Sequence, residues 1–108
     1  MTLKSTLKEK ENQKPKYYIY FIRIGEPADR LFKIGTTNDM QRRMKEHERY
    51  YKKSIHILGQ ICVTSEFTTL RVEKQTKELW RKTHPDWEYK RNDRFIIPED
   101  VKEIEIKV

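Results

Sequence analysis

The sequence predicts a small α+β domain, with a three-stranded antiparallel sheet over about residues 17–24, 31–35 and 54–63 and flanking helices over about 39–51 and 66–83. Three patterns carry this expectation. Tyr17 to Ile24 is an almost unbroken β-branched and aromatic run, apolar on both alternating faces, as suits a central strand covered on two sides. The turn-rich segment Gly25-Glu26-Pro27-Ala28-Asp29-Arg30 leads into a second run, Leu31-Phe32-Lys33-Ile34-Gly35, and so short a link joins antiparallel neighbours. Two later stretches space their apolar residues at the helical period.

Taken in order, residues 1–16 hold five lysines against Glu9 and Glu11, with few large aliphatics, and read as a flexible basic arm before a single domain at 17–108. After the hairpin, Thr37, Asn38 and Asp39 offer a helix N-cap. In the helix that follows, Met40, Met44, His47 and Tyr51 fall within about 60° of one another, forming the buried stripe, with Arg43 at its edge. The strand at 54–63 places Ile55, Ile57, Ile61 and Val63 in alternation, with Gly59 between them and Cys62 as a small core residue. Ser65 caps the second helix, whose inner arc reads Leu79, Val72, Thr76, Trp80, Glu73 and Leu70. Pro85 ends that helix. The segment from Trp87 to Phe95 reads as irregular or a short edge element, and the tail as a helix beginning at Pro98 or, from the alternation of Ile104 and Ile106, a strand.

Composition narrows the function. A net charge of +7 with 38% charged residues directs attention to a polyanion, and nucleic acid is the first candidate. Cys62 is the only cysteine, which excludes an internal disulfide and a cysteine-based zinc set. No stretch is apolar enough to span a bilayer and residues 1–16 lack a signal-like run, so no membrane association is expected and a bacterial or infected-host cytoplasm is the expected compartment. The glycines, Gly25, Gly35 and Gly59, form neither a Walker loop nor a dinucleotide fingerprint.

The groups left for chemistry are Tyr20 in mid-strand, Lys33 on the partner strand, Arg43 and His47 one helical turn apart, and the inward-facing Glu73. Phosphodiester hydrolysis needs such a set: a base for water, a cation against the charge on phosphate, and a metal or acid for the leaving oxygen. Each residue also has an ordinary structural role open to it. Tyr20 could be a packed aromatic and His47 a satisfied core histidine, while Arg43 could pair with Glu46 or Glu48, and Glu73 with Lys77.

The series Tyr18-Ile19-Tyr20, then Lys33-Ile34-Gly35 thirteen residues after Tyr20, then Arg43, His47 and Glu73, resembles the GIY-YIG nuclease superfamily across about residues 17–95. Lys33 stands where the superfamily usually has tyrosine, which resembles its short phage and bacterial branch with KIG in place of YIG. The resemblance implies a metal-dependent endonuclease acting on nucleic acid, DNA being favoured. By it, Tyr20 is the general base or a water-orienting phenol, Arg43 contacts the scissile phosphate, and His47 assists proton transfer or orients the tyrosine. Glu73 would be the lone protein ligand of one Mg²⁺ or Mn²⁺, and Lys33 would bind phosphate or share the proton work. Lys33, Arg42 and Asn92 would contact nucleic acid, with Asp93 an accessory residue. A weakly active or inactive nucleic-acid-binding module on the same fold is the alternative, and a small phage protein that binds a host protein is a third.

Overall fold

The computed structural model describes residues 2–4, 16–98, 101 and 103–106. Its strands are β1 (Thr2–Lys4), β2 (Tyr17–Ile24), β3 (Leu31–Thr37), β4 (Ile55–Val63), β5 (Glu88–Tyr89), β6 (Arg94–Ile96) and β7 (Glu103–Glu105), and its helices α1 (Met40–Tyr51) and α2 (Glu66–Thr83). The main sheet runs β4-β2-β3-β6-β5 with antiparallel neighbours throughout. The α+β class is as expected, but the sheet has five strands where three were expected. The two extra strands come from the segment after Pro85. At two and three residues they are too short to show alternation; β6 forms on Leu31–Lys33 of β3, and β5 in turn pairs with β6.

β2 holds the centre, and its alternation divides the molecule into two layers. Ile19 and Phe21 face α2, where they pack with Phe32, Ile34, Val72, Trp80, Trp87 and Phe95. Burying each such aliphatic or aromatic side chain contributes about 1.5–3 kcal/mol. Tyr20, Ile22 and Ile24 face the other way and pack with Met44 of α1. The expected α1 stripe holds: Met44 and His47 are buried, and Met40 and Tyr51 are partly so. Asp39 caps α1 by accepting from the Arg42 amide, and Ser65 caps α2 by accepting from the Thr68 amide.

Two expectations about burial are corrected. Ile57 is 50% exposed, because a bulge at Leu58 interrupts the pairing of β4 with β2. Ile22 faces Ile57 while Phe21 faces Gly59, so the odd-numbered residues of β4 change face across the bulge. Leu70 is 52% exposed, and Thr69 takes the buried position. The residues α2 buries are Thr69, Val72, Thr76 and Trp80, and Leu70 lies about 115° from their mean direction.

The tail expected from Pro98 as a helix or a strand is a strand at Glu103–Glu105, paired in parallel with Thr2–Lys4. Most of the arm expected over 1–16, and residues 99, 100 and 102, lie outside the described residues.

The site depends on where the sheet stops. β6 covers only Leu31–Lys33 of β3, so the end of β3 from Ile34 onward has no neighbour on that side among the described residues. Groups from the α1 layer, from α2 and from the turn before β6 approach one another at this gap.

Candidate active site

Register and a missing side chain position Tyr20. It pairs with Gly35 across β2 and β3, and its ring lies over that glycine. A Cβ on Gly35 would fall 2.3 Å from the Tyr20 hydroxyl and 2.5 Å from Cζ, so only glycine lets the ring take this path. The phenol ends 2.7 Å from His47 Nε2. Burial pushes the Tyr20 pKa up to about 12, even with the Arg43 guanidinium beside it acting in the opposite sense. Burial, then the cations Lys33 and Arg43, lower that of His47 to about 4. The two therefore meet near neutral pH as a neutral phenol and a neutral imidazole.

Lys33 points to the same side of the sheet, diagonal to Tyr20, as its pairing opposite Ile22 requires. It is buried, and burial lowers its pKa against the pull of Asp93 and Glu73. Its ammonium donates to the main-chain carbonyl of Asn92. That carbonyl is set by unusual backbone: Asn92 and Asp93 both have φ of 59°, a left-handed pair that Asn and Asp tolerate better than most residues.

Arg43 stands at the edge of the buried stripe of α1. It pairs with Glu46 at 3.2 Å, one of the ordinary roles open to it from sequence. Its Nε is nevertheless buried and makes no hydrogen bond among the described residues. Arg43, Lys33 and His47 line a cleft of about 520 Å³ together with Glu46, Tyr50, Tyr51, Asn92 and Asp93. Arg43 also lines a second cavity of about 300 Å³, toward Thr36, Thr37 and Asn38.

Glu73 comes from α2 on the far layer. Its side chain is 13% exposed, and burial raises its pKa. Lys77 Nζ stands 3.4 Å from Glu73 Oε1 and 2.9 Å from Asp93 Oδ1, so one ammonium joins both carboxylates. Burial works against the charge on Lys77, but the two acids outweigh it and its pKa is raised. Among the described residues no group of three or more His, Cys, Asp or Glu is arranged to hold a metal ion. Mg²⁺ and Mn²⁺ keep several waters and take only one or two carboxylates, so Glu73 and Asp93 would suffice in number for such an ion.

The structure thus brings Tyr20, Lys33, Arg43 and His47 together, with Asn92 and Asp93 on the rim and Glu73 joined through Lys77. Arg42 stands apart on the exposed side of α1, engaged with Asn38, Asp39 and Glu46. Sequence reasoning missed the cleft wall formed by Tyr50 and Tyr51, and the Arg94 guanidinium packed against it. The Tyr50 and Tyr51 rings meet edge to face at 4.8 Å, and the Arg94 guanidinium lies 5.2 Å from the Tyr51 ring centre. The adjacent tyrosines at the end of α1 were the only signal, and Arg94 could not be placed before its strand was known.

A family model for the T5orf172 domain matches residues 17–104, a span that includes the whole main sheet and both helices. The chain belongs to the T5orf172 domain family. This family is phage-associated and nuclease-related. No curated protein and no solved structure matched the chain. No helix of this T5orf172 domain, among the described residues, is long and apolar enough to cross a membrane.

Proposed function

We propose that the chain is a GIY-YIG-type, divalent-metal-dependent endonuclease that hydrolyses phosphodiester bonds in nucleic acid, with DNA the favoured substrate. The observation that carries this reading is the Arg43 guanidinium set against the Tyr20 phenol of the Tyr20–His47 pair and in the same cleft as Lys33, with a buried Nε that makes no hydrogen bond among the described residues. A buried N–H without an acceptor costs about 1–3 kcal/mol, and a phosphoryl oxygen is an acceptor that suits a guanidinium in both charge and geometry. The net charge of +7 would hold a polyanion near the cleft.

In this reading Arg43 and Lys33 offset the charge that develops on the phosphoryl oxygens. Tyr20, with its pKa near 12, acts as a neutral phenol. It orients the attacking water and relays the water's proton, passing its own across the 2.7 Å bond to His47. The imidazole is neutral at any pH well above 4 and a weak base in the free chain; a phosphate at Arg43 and Lys33 would offset the cations that lower its pKa and so strengthen it as the acceptor. Glu73 would hold the divalent ion, with Asp93, bonded to the same Lys77 ammonium, as a second carboxylate. Such an ion, when bound, neutralises charge on the phosphate and the leaving oxygen. A cleavage assay on nucleic acid with Mg²⁺ or Mn²⁺, run beside Glu73→Ala, tests this directly.

Two observations favour a second reading, a weakly active or inactive nucleic-acid-binding module. Lys77 already neutralises both carboxylates, and a lysine stands where the superfamily has its second tyrosine. This reading expects salt-sensitive binding without turnover.

A further inference from the structure

Tyr50 sits at the mouth of the Lys33–Arg43 cleft and is 69% exposed, an unusual place for a large aromatic side chain in a chain this polar. It is held at both ends. Its ring meets that of Tyr51 edge to face at 4.8 Å, and its hydroxyl accepts from Asn92 Nδ2 at 3.4 Å. Tyr51 is itself fixed between the His47 ring at 5.8 Å and the Arg94 guanidinium at 5.2 Å. A ring so held loses little conformational freedom when a ligand covers it.

An exposed, pre-fixed aromatic beside the buried Lys33 and the half-buried Arg43 matches the division of a nucleotide into an apolar flat base and an anionic phosphate. A duplex offers its phosphates but not its base faces, which neighbouring bases cover. An unpaired nucleotide offers both. We infer that Tyr50 is a stacking platform for an unpaired base, so that the cleft takes single-stranded or locally unpaired nucleic acid, with a phosphate at Arg43 and the adjoining base on Tyr50. This inference rests on the proposed reading of the cleft as a phosphodiester site.

The test is a fluorescence anisotropy titration of the full chain, with EDTA present to prevent turnover. Three labelled probes of equal length are compared: a single strand, a blunt duplex, and the same single strand with abasic positions. The wild-type chain should bind the single strand about tenfold more tightly than the duplex, and Tyr50→Ala should weaken single-strand binding by about tenfold. Tyr50→Ala should leave the abasic strand and the salt dependence unchanged, since no charge is removed. Tyr50→Trp should retain the affinity. Arg43→Ala should weaken all three probes. If Arg43→Ala weakens binding and Tyr50→Ala does not, the stacking inference is overturned while the phosphate reading stands. If both variants bind as the wild type does, the phosphate reading falls and the inference with it. Tighter binding of the blunt duplex than of the single strand also overturns the inference.

Discussion

At the scale of single residues, Gly35 and Tyr20 act as one unit. The glycine is needed for the space above it and not for its backbone freedom, because the Tyr20 ring occupies the place of its Cβ. Gly35→Ala should therefore lower the urea unfolding midpoint by the equivalent of about 1–3 kcal/mol, the usual cost of forcing bulk into a packed site. An unchanged midpoint would show that the ring moves aside freely. His47 makes a prediction about pH. Its pKa falls from an ordinary 6.5 to about 4 in the fold, so between those values the unfolded chain binds a proton that the folded chain does not. The stability linked to neutral His47 is then complete above about pH 6.5 and is lost as pH falls through about 4. Glu73 acts with the opposite sign, because its raised pKa favours the fold at low pH and that stability is lost as pH rises through the folded value. Subtracting the stability profile of His47→Gln from that of the wild type isolates the histidine part. The difference should be flat above pH 6.5 and slope below it, and a flat difference throughout would contradict neutral burial of His47.

At the scale of elements, α1 carries Arg43, His47 and Tyr50, and Asp39 fixes where it begins. Asp39→Ala removes the cap on the Arg42 amide and should cost about 1 kcal/mol in thermal or urea unfolding. Both helices and their caps were legible in the sequence, because cap residues and apolar spacing are local signals. The edges of the sheet were not. The bulge at Leu58 depends on how β4 meets β2, and nothing in Ile55–Val63 alone announces that its alternation changes face. β5 and β6 are too short to carry a period; β6 takes its form from β3, and β5 from β6. The second helix was legible in part: Val72, Thr76 and Trp80 face the core as read, but Leu70 was placed by its hydrophobicity where the helical angle puts Thr69.

At the scale of the whole molecule, the candidate site draws on two strands, two helices and the turn before β6, which meet where β6 ends short along β3. The sequence could name Tyr20, Lys33, Arg43, His47 and Glu73 because their residue types and order form a known series. It could not show that one ammonium, Lys77, joins Glu73 to Asp93, because that contact crosses from a helix to a turn sixteen residues away. The net charge of +7 makes a prediction at this scale too: affinity for nucleic acid should fall steeply and linearly on a log–log plot against salt. Binding insensitive to salt would point away from a phosphate-directed surface. The proposed activity requires Glu73 to hold a divalent ion for phosphodiester cleavage at the Arg43 cleft. Incubating plasmid, single-stranded DNA and RNA with the wild-type chain and with Glu73→Ala, in Mg²⁺ or Mn²⁺ and in EDTA, tests it most directly. The account predicts metal-dependent strand cleavage by the wild type and a loss of about a hundredfold or more in Glu73→Ala, with circular dichroism unchanged. Full activity in the folded Glu73→Ala chain, or no cleavage of any substrate by the metal-supplied wild type, would contradict it.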